Sequence, residues 1–597
     1  MLTVEARFIL KAQGNNLIIA FCLLTVLYCI TTKDIQASKV AFMEDNLYKI
    51  KTEMLEFLAK FRILPTRDRQ VLFLQCVMVF DCTFWNEQIA DSEEERLYCS
   101  QILRYGYPVF IKLFYDKAFA EESGIPLCAL NQTTLKICHE IIYACKTVGW
   151  VEFVEENVKY GNFVISQSGK STKITFAKKY HWNEYIEQQY LSYFSEVMAF
   201  SKREEYDALN KDKERILQKM QDMVFVWHNE FMGYTNDIDV EEFFHAYAEL
   251  DLEQDTNWDM FNSSDKFGGI DYENYVCSIM DFSGYAIKHY HFGYLLKKAK
   301  PHLITENLFY LCKDKENLIK LIAENRNISK EAAQSVFDCL TLSSHNISLY
   351  DKPMYCTAPF IQLSKELVIQ SMAGTLHSPF GFLLENLSCS YLKDWSNNVG
   401  NREASFRKEL YLLFEEDNYL CLDRPVNIIS ATYGKTDIDA VIIDKKSGEI
   451  ALFQLKWQGP TYISTKAMHS KSKNYYDETR KWLMVINDWV ENTSIQNISS
   501  LFGIPQKYID KSKIHIFILG RHHANYSSNA VADESCVWGQ WYQFLSSIQF
   551  VDATLPKISQ FYNQLKIQSP YIAKYTERST VFQIGEYEIV YGNEQES

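Results

Sequence analysis

Before residue 395, apolar side chains mostly recur every three to four positions, whereas the last third of the chain carries short runs that are apolar throughout or alternate. The first pattern predicts amphipathic helices and the second predicts strands, because helices repeat every 3.6 residues and strands every two. Helices are predicted over 44–62, 69–79 and 133–148. A break follows them. Asn162-Phe163-Val164-Ile165-Ser166 and Thr172-Lys173-Ile174-Thr175-Phe176 flank Gln167-Ser168-Gly169-Lys170-Ser171, and two β-branched runs about a glycine turn predict a hairpin. A helix followed by a basic-tipped hairpin is also compatible with a winged helix. Gly169-Lys170-Ser171 is not a P-loop, since Val164 stands where that motif requires its first glycine. Past a charged helical stretch at 201–222, the chain is again helical and aromatic-rich, as in Phe243-Phe244-His245-Ala246-Tyr247. There Asp237-Ile238-Asp239 is expected to cap a helix, and His289 and His291 fall on different sides of one. Trp395-Ser396-Asn397-Asn398-Val399-Gly400 is the expected boundary.

Beyond it the period shortens. Thr436-Asp437-Ile438-Asp439-Ala440-Val441-Ile442-Ile443 and Ile450-Ala451-Leu452-Phe453-Gln454-Leu455-Lys456-Trp457 predict two strands about the turn Asp444-Lys445-Lys446-Ser447-Gly448. An even-length loop makes Asp439 oppose Gln454 and Asp437 oppose Lys456, which places all four polar groups on one face. An ammonium at the end of an apolar strand needs such partners. The helix predicted over 400–414 puts Phe406, Leu410, Leu413 and Phe414 on one face with Glu403, and Glu409 about a quarter-turn away. Ile514-His515-Ile516-Phe517-Ile518-Leu519-Gly520 predicts a further buried strand ending in Arg521-His522-His523; such a strand end could bring either histidine near the site, but a loop histidine pair is more often incidental.

Asp439 followed by Gln454-Leu455-Lys456 resembles the PD-(D/E)xK, or restriction-endonuclease-like, nuclease superfamily in its QxK variant, over roughly residues 396–525. With the helical pattern before residue 395 and a length that suits several domains, an α+β multidomain chain is expected. A mainly helical N-terminal portion (1–200 with the hairpin, then the aromatic-rich 201–395) would precede, at 396–597, an α/β restriction-endonuclease-like domain with a mixed central sheet and a C-terminal extension. The resemblance implies metal-dependent hydrolysis of phosphodiester bonds, with Asp439, Gln454, Lys456 and Glu403 as catalytic residues. Mg²⁺ or Mn²⁺ would be held by Asp439 with Glu403 or Asp437, since hard cations take oxygen ligands. Gln454 departs from the commoner carboxylate and offers the ion only a neutral oxygen. DNA is the expected substrate and defence against foreign DNA the expected setting, with room for a homo-oligomer or a defence-system partner. A noncatalytic nuclease-like scaffold and a repair or recombination nuclease are the alternatives.

Charge sharpens this picture. The chain of 597 residues has a net charge of −15, which disfavours general nucleic-acid coating and leaves a local basic surface as the expected contact. Lys466, Lys471, Lys473, Arg480 and Lys481 form such a surface, with Tyr462, Tyr475, Tyr476 and Trp482 as candidates for base stacking. Trp482, Val485 and Trp489 also have the spacing of a helix core. The 15 cysteines are scattered, include no CxxC pair and in many cases sit in apolar runs, which fits reduced thiols and a cytoplasmic location. The apolar run 17–30 is short for a bilayer span of ~20 residues. A core helix is the expectation there, with an N-terminal anchor as its rival, so membrane association is not expected of the whole.

Overall fold

A computed structural model of the protein describes residues 46–592 apart from 126, 178–190, 253–258, 352–355, 378, 458–464, 523–534, 553 and 568–578. The apolar run 17–30 lies outside the described residues. Helices α1 (Asn46–Arg62), α2 (Thr66–Ile89) and α3 (Gln132–Lys159) cover the three predicted segments. Asn131 starts α3 as a capping box, its side chain accepting the N–H groups of Thr133 and Thr134 while the Thr134 hydroxyl accepts that of Asn131. The bundle buries Phe73, Phe80, Phe110, Ile141 and Cys145 in one core. Burial raises the Cys145 thiol, so it stays protonated and inert.

Strands β1 (Phe163–Ser168) and β2 (Ser171–Phe176) form the predicted hairpin, with Gly169 at φ +60° in its two-residue turn. The sheet is completed from the other end of the chain, by two strands described last below. Farther on, α4 (Ile238–Leu252) is capped as expected, Asp237 Oδ1 accepting the N–H groups of Asp239 and Val240 at 3.1 and 3.4 Å. In α5 (Tyr272–Ala299) the two histidines diverge: His289 bonds the Leu308 carbonyl at 2.9 Å, while His291 packs on the Phe244 ring.

Helix α6 (Leu392–Leu412) runs through the expected boundary at 395–400 instead of starting after it. Tertiary packing overrides the loop-like Ser-Asn-Asn composition, because the Trp395 ring sits edge-on to Phe261 at 4.9 Å and against the Arg402 guanidinium. One continuous apolar core joins Phe282, Phe360 and Leu383 to Phe406, Leu410, Phe453 and Phe517, so packing crosses residue 395 without interruption.

The C-terminal part is built on a five-stranded mixed sheet. Its strands are β3 (Tyr419–Cys421), β6 (Ala440–Asp444), β7 (Ile450–Lys456), β8 (Ile514–Gly520) and β9 (Val537–Gln540), in the order β3-β6-β7-β8-β9. The β3–β6 and β6–β7 pairs are antiparallel, whereas β7–β8 and β8–β9 are parallel. Strands β4 (Val426–Ser430) and β5 (Gly434–Ile438) form a separate ribbon. Alternation divides the sheet between two cores. Ala440, Ile442, Ala451, Phe453 and Leu455 pack with α6, while Val441, Ile443, Ile450 and Leu452 pack with Trp482, Ile486 and Trp489 of α7 (Thr465–Asn492).

The last two strands, β10 (Ser579–Ile584) and β11 (Tyr587–Gly592), return to the N-terminal part, where β11 runs parallel to β2 in the order β1-β2-β11-β10. Lys170, the basic tip of the first hairpin, pairs there with Glu586 at 2.5 Å. Among the described residues no helix is long and apolar enough to cross a membrane.

Candidate active site

The site begins with the turn between β6 and β7. Asp444 folds it, accepting the Lys446 N–H at 2.8 Å and the Ser447 hydroxyl at 2.7 Å, and Gly448 takes the positive φ of +76° that the turn requires. The loop is even in length, so Ile443 faces Ile450 and Ala440 faces Phe453, the predicted register. One step further Asp439 and Gln454 meet: the Gln454 amide donates to Asp439 Oδ2, and the Leu455 N–H donates to the same oxygen at 2.7 Å. Both side chains are buried. Alternation puts Asp439, Gln454 and Lys456 on the α7 side of the sheet, at the strand ends where the apolar core gives out.

The fourth polar group departs from the expected hairpin. The chain bends at Asp439 and β5 leaves to pair with β4, so Asp437 opposes Asn427 and not Lys456. Two hydrogen bonds account for the bend. Arg407 of α6 donates to the Asp439 carbonyl at 3.0 Å, and the Trp482 indole of α7 donates to the Asp437 carbonyl at 2.6 Å, drawing the segment out of the main sheet. Asp437 nonetheless borders the same cavity, of about 470 Å³, as Gln454, Lys456, Glu478, Lys481 and Trp482.

Helix α6 delivers Glu403 to this end of the sheet, with Oε1 3.3 Å from Lys456 Nζ. Glu409, six residues on, faces elsewhere and pairs with Arg521, which also binds Asp259 at 2.7 Å. The electrostatics follow from this layout. Burial, then the charge of Glu403 and more weakly that of Asp437, push the Asp439 carboxyl up to about 7, against the opposing pull of Lys456 and the Leu455 N–H. Burial alone lowers the Lys456 ammonium, but Glu403, Asp439 and Glu478 outweigh it and hold Lys456 above its ordinary value. A buried carboxyl that resists ionisation beside two further acids is a place where a cation relieves strain on the charged form.

Among the described residues, no group of three or more acidic, histidine or cysteine side chains is arranged to hold a metal. Mg²⁺ and Mn²⁺ do not demand one, since Mg²⁺ keeps several waters and binds through one or two carboxylates. Asp439 with Glu403 fits that mode.

The expected nucleic-acid contacts divide. Lys466, Lys473, Arg480 and Lys481 are exposed on α7, and Lys481 borders the cavity; the Lys471 side chain lies outside the described residues. Tyr475 is buried in the sheet core and is not placed to stack on a base; Trp482 is buried there too but borders the cavity, and Tyr462 lies outside the described residues. His522 is buried near Asp259, and burial holds it down to about 4, neutral at ordinary pH; His523 is outside the described residues. Sequence reasoning missed Arg407, Glu478 and Asp259. The spacing of Glu478, Lys481 and Trp482 on one helix face was an available signal for the second. Nothing local announces Asp259, which meets Arg521 across 262 residues.

Comparison with protein-family models, with curated proteins and with solved structures finds no match to this chain.

Proposed function

We propose that residues 396–525 form a restriction-endonuclease-like domain that hydrolyses phosphodiester bonds in nucleic acid, with DNA as the substrate and Mg²⁺ or Mn²⁺ as the cofactor. The observation that carries this reading is the meeting of Asp439, Gln454, Lys456 and Glu403 at one end of a mixed sheet, beside an open cavity. Asp439 and Glu403 would hold the ion, and Asp437 adds negative charge at the rim. When bound, such an ion lowers the pKa of a water and polarises a phosphoryl oxygen. The chain's own residues supply the rest. Lys456, kept protonated by its carboxylates, offers a fixed positive charge where a pentacoordinate phosphoryl group would gather negative charge. Gln454 and the Leu455 N–H hold Asp439 in a single orientation, so the ligand is preorganised. The exposed basic residues of α7 attract the phosphate backbone locally on a chain that repels it elsewhere. Defence against foreign DNA, and any partner serving it, rest on the resemblance alone.

One observation favours the noncatalytic scaffold as a second reading: the four polar groups satisfy one another, Gln454 on Asp439 and Lys456 on Glu403. The test is incubation of the purified protein with plasmid, linear and single-stranded substrates, with and without Mg²⁺ or Mn²⁺. Cleavage should require the ion, and Asp439→Ala and Lys456→Ala should each lose on the order of a hundredfold or more in rate; the thermal transition should stay nearly unchanged in Lys456→Ala and fall modestly in Asp439→Ala, which leaves the Gln454 amide and the Leu455 N–H without their acceptor. Full activity in either variant removes the site. Joint loss of folding and activity makes Lys456–Glu403 a structural ion pair.

A further inference from the structure

The ribbon of β4 and β5 has no part in the five-stranded sheet, yet its turn is bonded to a neighbouring helix. At its turn, Ser430 Oγ accepts the N–H groups of Thr432 and Tyr433 at 3.2 and 2.9 Å and donates to Asp488 of α7 at 2.5 Å. Thr432 adds a second bond to Asp488 at 3.1 Å. The ribbon tip is thereby fastened across to α7, and it presents Tyr433, 51% exposed, together with Lys435 on the wall of the cavity whose floor holds Gln454 and Lys456. An aromatic ring kept half in water on a braced turn contributes little to the core. The cavity is lined by three lysines, Lys435, Lys456 and Lys481, against Asp437 and Glu478, and with Lys456 paired to Glu403 the two exposed lysines at its edge are balanced on a chain of net charge −15. At about 470 Å³ it is a small-ligand space, suited to one or two unpaired nucleotides rather than to a duplex.

We infer that the β4–β5 ribbon is a substrate-positioning wall for single-stranded nucleic acid, with Tyr433 stacking on an unpaired base and Lys435 and Lys481 flanking the backbone beside Lys456. The inference rests on the nuclease reading for its position but not for its physics. Aromatic stacking accepts any base because every base has a π-face, and paired lysines track phosphates without reading sequence. The occupant is thus single-stranded and bound with little sequence preference.

The test uses the full chain in chelator, so that binding is read apart from cleavage, with a fluorescent oligothymidine of about 12 nucleotides and a duplex of equal length. The oligothymidine should bind more tightly than the duplex. Tyr433→Ala should weaken oligothymidine binding about tenfold and Tyr433→Phe by no more than about twofold, since phenylalanine keeps the stacking face. Lys435→Ala should weaken binding and make it less salt-sensitive. In metal-supported cleavage of single strands, the Tyr433→Ala loss should fall on KM with kcat retained. Unchanged affinity in Tyr433→Ala, tighter binding of the duplex, or no binding of either oligonucleotide overturns the inference. Lys456-dependent cleavage with Tyr433-independent binding sinks the wall and leaves the nuclease. Tyr433-dependent binding without cleavage under either ion sinks the hydrolysis and keeps the wall.

Discussion

At the scale of single residues, the amide of Gln454 is what separates this site from its carboxylate-bearing counterparts. An amide donates a hydrogen bond and a carboxylate cannot, so Gln454 holds Asp439 while carrying no charge. Gln454→Glu conserves size but sets a second carboxyl against that of Asp439, which burial and its acidic neighbours already push up to about 7. Without divalent ions the variant should melt below the parent. With Mg²⁺ or Mn²⁺ bound on this face, the added charge becomes an added ligand, so the ion should raise the melting temperature of Gln454→Glu by more than that of the parent. Thermal melts and titration calorimetry read both effects. A metal response equal in the two proteins would locate the ion elsewhere, and no response in either would favour the scaffold.

At the scale of elements, helix α6 serves two unlike tasks from two of its faces. Glu403 reaches Lys456 at the strand ends, while Glu409 joins Arg521 and Asp259 in a network that ties α6 to β8 and to the helical middle of the chain. Glu403→Gln should therefore raise the metal concentration needed for half-maximal cleavage, or lower the rate, with little change in melting. Glu409→Gln should leave metal dependence alone and lower stability by about 1 kcal/mol, a modest loss because Arg521 keeps Asp259. A metal titration of cleavage and a denaturant melt on each variant separate the roles. The reversed ranking would mean that Glu409, not Glu403, serves the metal, leaving the β6–β7 argument standing.

At the scale of the whole molecule, distant segments are joined by buried polar contacts. Asp81 of α2 accepts the Ser371 hydroxyl at 2.7 Å and the Ala373 N–H at 2.8 Å, across 290 and 292 residues. Burial pushes its carboxyl from 3.8 up to about 7, against the lowering effect of those donors. A carboxyl raised on folding makes the native state bind the extra proton, so its contribution is complete below about 4 and is lost as pH rises through about 7. Asp81→Asn keeps the acceptor and removes the titration. Stability measured by denaturant melts should then fall less steeply with pH between these values than in the parent, the two curves separating by on the order of 4 kcal/mol. Parallel curves would mean that Asp81 is ionised in the native state at neutral pH.

Some of this protein follows from short stretches of chain alone. The helices at 46–62 and 132–159, the hairpin at 163–176 and the cap at Asp237 depend on period and turn chemistry within a few residues. So does the register that brings Asp439 to Gln454, which loop parity decides, and so does the helical phase that separates Glu403 from Glu409. Tertiary structure decided the rest. The bend at Asp439 that sends Asp437 to Asn427 needs Arg407 from one helix and Trp482 from another. The passage of α6 through 395–400 needs Phe261 under Trp395, and the pairing of β11 with β2 joins strands at opposite ends of the described chain. In each case a backbone segment has several partners that would satisfy its hydrogen bonds equally well. The choice among them falls to apolar surface and polar groups supplied from tens to hundreds of residues away, which no local pattern carries.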